Sequence, residues 1–177
     1  VNTMYRWDGH ENITPPQIPQ KHNPVGQYIK EFNLPKDWIE NKITISFKGV
    51  ESAFFLWING EFIGYSEDTF TTSEFDITNF VKPGVNKVAL EVYKWCSGSW
   101  LEDQDFWRLS GIFRDVDIYK EPDIHVKDMF IKTKLNSDYT KANIEGELEF
   151  IYHSNRKGRL FAKLYYEEKL ISKSEIY

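Results

Sequence analysis

The dipeptide Asn59-Gly60 stands between two apolar runs, FFLWI and EFIGY, and no other feature restricts the fold of this chain as strongly. Both central residues of a type I′ turn need positive φ, a conformation that Asn and Gly adopt more readily than other residues. The two runs are therefore predicted to pair as an antiparallel β-hairpin. A hairpin at this position favours an architecture built from β-sheets.

Further segments on both sides of this hairpin have the pattern of strands. GQYIKEFNLP and NKITISFKGV alternate, and Ile43, Ile45 and Phe47 share one face of the second segment. A turn through Pro83-Gly84 is followed by a predicted strand from Lys87 to Trp95. No segment has a sustained helical period, and aromatic residues make up 16% of the chain, which favours strands. This spacing of strands and turns predicts an all-β sandwich or jelly roll.

The composition of the chain changes near Glu121-Pro122. Residues 1–121 hold all six tryptophans and begin with a Pro-rich leader, residues 1–25, which we expect to be extended along a surface. Residues 122–177 contain three further strand regions. A segment of this length is too short for a complete immunoglobulin-like sandwich, which has about 100 residues. The chain begins at Val1 rather than Met and ends inside a predicted strand, so we expect a segment of a longer polypeptide whose second domain is truncated.

Charge and residue usage argue against several functional classes. The formal net charge is −5 with no run of Lys or Arg, so we expect no nucleic-acid partner. The longest apolar stretch is too short to cross a bilayer, so we expect no membrane partner. Cys96 is a single cysteine with the setting of a small buried residue, and the four histidines lack metal-ligand spacing. The compartment stays open between cytoplasm and periplasm.

The segment SWLEDQDFWRLSG, residues 99–111, combines carboxylates with aromatic rings and is called the acidic loop below. Its three acids are Glu102, Asp103 and Asp105. Ionised carboxylates accept hydrogen bonds, and flat rings suit the apolar C–H face of a sugar. Two interpretations stay open, namely a polar turn neutralised by Arg108 and Arg114, or a carbohydrate-binding site. A catalytic carboxylate pair is disfavoured because no partner acid is evident elsewhere in the sequence.

Three long motifs follow one another in the chain: WDGHENITPPQIPQKHNPVGQY, GVESAFFLWINGEFIGYSEDTFTTSEFDIT and GSWLEDQDFWRLSGIFRDV. In this order they resemble the N-terminal portion of the large bacterial β-galactosidases of glycoside hydrolase family 2. The resemblance implies a sugar-binding jelly-roll domain of the galactose-binding type over residues 1–121, followed by a truncated immunoglobulin-like β-sandwich over residues 122–177.

The same resemblance implies the activity of the parent enzyme, a retaining glycosidase that removes terminal β-D-galactose from β-galactosides. A (β/α)8 barrel outside this chain would carry both catalytic glutamates. We therefore expect this chain to be inactive alone and to contain no catalytic residue. The parent enzyme is expected to form homo-oligomers.

Two sugar-binding residues are implied by the resemblance. Asp105 is similar to an aspartate that contacts the galactosyl hydroxyls and helps to hold a sodium ion, and Asn2 is similar to an asparagine that lines the galactose subsite. The other sodium ligands would come from the barrel. Magnesium is a further possible ion of the parent enzyme, with ligands outside this chain.

The other side chains of the acidic loop are expected to have structural roles. We expect Trp107 to pack in the core, and Glu102 and Asp103 to make hydrogen bonds within the loop. Arg108 and Arg114 are their candidate partners. The acidic loop would then form one wall of a composite pocket, and the barrel would form the rest.

Three alternatives remain. A β-glucuronidase or β-mannosidase of the same family would share the sandwich, although such relatives generally lack the LEDQDFWR string. A free-standing carbohydrate-binding module would bind sugar by itself through exposed aromatic rings. A purely structural sandwich would support assembly.

Overall fold

A computed structural model describes residues 11–102, 107–152 and 157–176. The fold is all-β, as predicted, since the described residues form strands and three short 3-10 helices but no α-helix. The 3-10 helices span Lys36–Trp38, Thr78–Phe80 and Ser97–Trp100. No helix in the described part has the length and apolarity needed to cross a bilayer. The chain divides into two compact units, Val1–Lys120 and Glu121–Tyr177.

The described residues of the first unit form three sheets. Its strands are β1 (Val25–Leu34), β2 (Lys42–Phe47), β3 (Val50–Glu51), β4 (Ala53–Ile58), β5 (Glu61–Glu67), β6 (Ser73–Asp76), β7 (Gly84–Tyr93), β8 (Gly111–Ile112) and β9 (Val116–Glu121). The larger sheets have the strand orders β1-β7-β4-β5 and β6-β2-β9, and β3 pairs with β8. Neighbours that are distant in sequence, such as β1 and β7, identify this unit as a sandwich with crossing connections rather than a simple meander.

One hydrophobic core lies between the two larger sheets. The second sheet contributes Ile43, Ile45 and Phe47, each at most 1% exposed, which confirms the predicted inward face of β2. The first sheet contributes alternate residues of β4 and β7 to the same cluster. These residues are Phe54, Leu56, Ile58, Val88, Leu90 and Val92. Because both sheets bury one face in a shared cluster, their packing defines the sandwich.

The predicted hairpin at Asn59-Gly60 is confirmed. Asn59 has φ of 53° and Gly60 has φ of 89°, so both lie in the left-handed region that a type I′ turn requires. The Asn59 N–H donates to the carbonyl of Lys87 at 2.8 Å, and the Lys87 N–H donates to Asn59 Oδ1 at 2.9 Å. The hairpin is thereby tied to the neighbouring strand β7.

The second unit contains four strands in two antiparallel hairpins. The strands are β10 (Ile124–Leu135), β11 (Ala142–Tyr152), β12 (Leu160–Tyr166) and β13 (Lys169–Ile176), with β10 paired to β11 and β12 to β13. The third predicted strand region is therefore two strands, because Glu167 and Glu168 adopt φ of 43° and 65° and reverse the chain. Met129, Phe130 and Ile131 in β10 are each more than half exposed.

Candidate functional site

A small polar cluster that includes Ser99, the first residue of the acidic loop, lies at the 3-10 helix Ser97–Trp100, which follows β7 in the chain. Ser52 Oγ lies 3.1 Å from both Cys96 Sγ and Ser99 Oγ. The Cys96 N–H donates to Ser99 Oγ, also at 3.1 Å. All three residues are buried, which confirms the prediction for Cys96, and burial raises the pKa of its thiol above the usual value. The cluster fixes the entry of the loop against the edge of β4.

Glu67, the last residue of β5, also contacts the residues through which the chain enters the acidic loop. It accepts hydrogen bonds from the Ser97 hydroxyl at 3.3 Å, the Gly98 N–H at 3.4 Å and the Tyr65 hydroxyl at 3.2 Å. Burial opposes ionisation of Glu67, but the hydrogen bonds from Cys96, Gly98, Tyr65 and Ser97 outweigh it and lower the pKa of this carboxyl. Burial and the adjacent carboxylate raise the pKa of Tyr65.

The Pro-rich leader lies beside the loop entry. The Trp100 indole N–H donates to the carbonyl of Gln17 at 2.7 Å, and both Ile13 and Trp100 pack against Trp95. Asn23 pairs with the backbone of Trp95 through its amide N–H and carbonyl oxygen, both at 2.9 Å. The described part of the leader is therefore anchored to the first unit by these contacts.

Glu102 is held through both oxygens of its carboxylate. Its Oε1 accepts the Thr69 N–H at 2.7 Å, and its Oε2 accepts the Thr69 hydroxyl at 2.6 Å. Thr69 is 1% exposed, so these charge-assisted bonds are sheltered from water. The carboxylate of Glu102 therefore has a structural contact, but with Thr69 outside the loop rather than within the loop as predicted.

Arg108 and Ser110 fix the exit of the loop. The Arg108 guanidinium donates to the carbonyl oxygen of Glu102 and lies 5.8 Å from the centre of the Trp95 ring. The Ser110 N–H donates to Glu51 Oε2 at 2.7 Å, and its hydroxyl donates to the Glu51 carbonyl at 3.1 Å. The chain therefore leaves the loop against β3, the strand that pairs with β8 just beyond.

The backbone at this exit also favours a small residue. Gly111 has φ of 100°, and a Cβ added there would lie 2.8 Å from the Tyr28 hydroxyl. A side chain at Gly111 would therefore meet both conformational strain and a close contact.

Two predictions for this loop are wrong. Trp107 is 83% exposed rather than packed in the core, whereas Trp95 is buried and 2% exposed. Arg114 donates to the carbonyls of Lys48 and Phe70, both at 3.2 Å, and not to Glu102. Its other candidate partner, Asp103, lies outside the described residues. Arg108 does contact Glu102, but at the backbone oxygen rather than at the carboxylate.

The residues expected to contact sugar, Asn2 and Asp105, lie outside the described residues, as does Asp103. Within the described ranges, no group of three or more His, Cys, Asp or Glu side chains is placed to hold a metal ion. The described part of the chain therefore supplies the frame of the loop, while the role of Asp105 stays a prediction.

Sequence reasoning missed Thr69, Glu51 and Glu67, which carry the main contacts of the loop. Each contacts a residue that is distant in sequence. The separation is 33 residues between Thr69 and its partner, 59 between Glu51 and its partner, and 30 and 31 between Glu67 and its two partners in the loop entry. Local patterns report turns and faces but not such distant pairings. One local signal existed, since Asp68 Oδ1 accepts the N–H groups of Phe70 and Thr71, an Asx turn that the string EDTFTT allows.

Comparisons with known proteins agree with this architecture. The β-glucuronidase of Ruminococcus gnavus superposes with a TM-score of 0.67 and 23% identity, over 85% of this chain and 28% of that chain. A β-glucuronidase from an uncultured Clostridium superposes with a TM-score of 0.69 and 20% identity, with the same coverage. At this level of identity the similarity defines the fold alone.

Sequence comparisons are more specific. The β-galactosidase of Clostridium acetobutylicum is 57% identical over 155 residues, 87% of this chain and 17% of that protein. The β-galactosidase of Halalkalibacterium halodurans is 50% identical over 165 residues, 93% of this chain and 16% of that protein. The chain thus spans about a sixth of these relatives. Residues 8–122 match the sugar binding domain of glycosyl hydrolases family 2, and the chain belongs to that family.

Proposed function

We propose that this chain is the N-terminal, non-catalytic part of a β-galactosidase that hydrolyses terminal β-D-galactose residues. The single observation that carries the proposal is the 57% identity to the Clostridium acetobutylicum β-galactosidase over 87% of the chain. The catalytic groups would belong to a barrel outside this sequence. The predicted glycosidase activity is therefore a property of the longer polypeptide, not of the chain alone.

Within that enzyme, the acidic loop would form one wall of the galactose site. Glu51, Thr69 and Arg108 hold the described ends of the loop through backbone and carboxylate contacts. Such a frame suits a loop that must present a side chain in one place. Asp105 would accept hydrogen bonds from galactosyl hydroxyls, and Asn2 would line the same subsite.

Asp105 would also contribute one ligand to a sodium ion. Carboxylate oxygen is a suitable ligand for hard cations, so the donor chemistry fits. The other ligands would come from the barrel, as would those of any magnesium ion. Bound sodium would supply positive charge next to the sugar, while the residues of this chain would orient the loop.

A chimera tests the proposed activity. The matched segment of the Clostridium acetobutylicum β-galactosidase would be replaced by this chain, and hydrolysis of o-nitrophenyl β-galactoside and β-glucuronide would be measured. We expect a folded chimera to hydrolyse the galactoside with kcat/KM within about tenfold of the parent, and to discriminate against the glucuronide as the parent does. A soluble, folded chimera without galactosidase activity, or one that prefers the glucuronide, would contradict the proposal.

A free-standing carbohydrate-binding module is the second candidate. The 83% exposure of Trp107 favours it, because an exposed ring offers a platform for sugar. The two candidates differ in whether the chain alone holds galactose. Titration of the chain with galactose in sodium buffer, followed through the indole N–H signals in NMR spectra, separates them. A composite wall predicts no saturable shift at low millimolar sugar, whereas a module predicts one.

A further inference from the structure

The base of the acidic loop is closed by a short chain of contacts through Glu102. Thr69 donates twice to the Glu102 carboxylate, at 2.7 and 2.6 Å, and Arg108 donates to the Glu102 carbonyl. Glu102 is thus held at its side chain and at its backbone. These contacts fix both the residue that precedes positions 103–107 and the residue that follows them.

Thr69 itself is firmly placed. It is 1% exposed, and it directly follows Asp68, whose Oδ1 caps the turn at Phe70 and Thr71 at 3.2 and 3.3 Å. Hydrogen bonds from the Thr71 hydroxyl and from the N–H groups of Thr71 and Phe70 lower the pKa of Asp68 and favour its charged form. The donor side of the Glu102 contact is therefore preorganised by its own turn.

The Glu102 carboxylate holds Thr69 with both of its oxygens. Each oxygen of an ionised carboxylate has about two acceptor positions. Here each oxygen of Glu102 already accepts one strong, charge-assisted hydrogen bond from Thr69. Replacing these bonds by bonds to sugar would leave the buried Thr69 groups without their partner, which is unfavourable.

We propose that Glu102 and Thr69 form a positioning pair that fixes the base of the acidic loop and thereby supports the galactose site to which Asp105 is assigned. The inference rests on the proposed function, because it assigns Asp105 to that site. It goes beyond that function by naming two residues that act through the loop rather than on the sugar. Small displacements of a ligand-binding group lower activity by up to about 100-fold, so the pair should have a measurable effect.

Four single variants and one double variant of the chimera test this proposal. Thr69→Val removes the hydroxyl and keeps the shape, and Thr69→Ser keeps the hydroxyl. Glu102→Gln removes the charge, and Glu61→Gln makes the same change at an exposed position of β5. The fifth variant combines Thr69→Val with Glu102→Gln. We would measure kcat and KM for o-nitrophenyl β-galactoside, with circular dichroism and thermal unfolding as checks of folding.

We expect Thr69→Val and Glu102→Gln each to lower kcat/KM about 10- to 100-fold, while Thr69→Ser and Glu61→Gln stay within about threefold of the chimera. The double variant should lose little more than the worse single variant, because both substitutions break the same contact. Thermal unfolding of Thr69→Val should remain cooperative, so lost activity would not reflect lost fold. A double variant with fully additive losses would overturn the proposal.

Asp105→Asn separates this inference from the proposed function. If Asp105→Asn lowers kcat/KM strongly while folded Thr69→Val and Glu102→Gln variants keep full activity, the positioning pair is wrong and the proposed function stands. If Asp105→Asn has no effect in an active chimera, Asp105 is not a sugar-binding residue, and the positioning pair that depends on it is also wrong. Should Glu102→Gln prevent folding, the comparison of Thr69→Val with Thr69→Ser still decides, since equal activity of these two would exclude the pair.

Discussion

Glu67 shows how one carboxylate at the surface of the sandwich can organise the start of a functional loop. It joins a residue of its own strand, Tyr65, to two residues of the loop entry, Ser97 and Gly98. Burial disfavours its charge, yet the surrounding donors, with the Cys96 thiol first among them, lower the pKa of the carboxyl. The ionised form of Glu67 therefore stabilises the folded chain.

The lowered pKa of Glu67 predicts a pH-dependent effect of Glu67→Gln. An acid whose pKa is lower in the folded state stabilises the fold above its unfolded value, near 4.5, and loses this effect as pH falls through the folded pKa. The wild-type chain should thus be more stable than Glu67→Gln at pH 7, and the difference should shrink below about pH 4.5. Urea unfolding from pH 7 to pH 3 measures this. A difference that is constant over this range would contradict the assignment.

At the scale of elements, local rules predicted the regular part of the fold. The Asn59-Gly60 turn was predictable because its backbone conformation is specific to these residue types. Glu167-Glu168 adopts similar φ values without Gly or Asn, so the string YYEEKL gave no turn signal and two strands were interpreted as one. Trp107 was misplaced because periodicity does not distinguish which of several nearby tryptophans is buried.

The turn before β7 depends on a buried side chain, Asn86, which is 1% exposed. Asn86 Oδ1 accepts from the Lys82 N–H at 2.9 Å and from the Asn59 amide at 2.9 Å. Its own amide donates to the carbonyls of Lys82 at 2.7 Å and Gly84 at 3.0 Å. One side chain thus joins the turn through Gly84 to the hairpin that connects β4 and β5.

Asn86→Ala should therefore destabilise the first unit by about 3 kcal/mol, because several sheltered polar groups lose their partner. Asn33→Ala, at an exposed position of β1, is the matched control and should cost about 0.5 kcal/mol or less. Urea unfolding followed by tryptophan fluorescence measures both, and all six tryptophans lie in the first unit. Equal effects of the two substitutions would show that the Asn86 contacts do not stabilise the fold.

For the molecule as a whole, the sequence predicted the sandwich and its loop better than the contacts that hold the loop. The acidic loop was evident from residue types, since three carboxylates and three aromatic rings fall within residues 99–111. The contacts of Glu51 and Thr69 were not predictable, because each joins two residues that are far apart in sequence. The separations are 59 residues for Glu51 and 33 for Thr69. The loop is thus a local feature of the sequence whose position depends on the whole first unit.

The central claim is that the acidic loop contributes Asp105, and not its neighbour Asp103, to a galactose site. The most direct measurement is kcat/KM of the active chimera for o-nitrophenyl β-galactoside after Asp105→Asn and, as the matched control, Asp103→Asn. We expect Asp105→Asn to lower kcat/KM by about 100-fold or more, because it removes the negative charge that would accept hydrogen bonds from the sugar hydroxyls and coordinate the sodium ion. Asp103→Asn should stay within about threefold. Comparable losses for the two variants would contradict the claim.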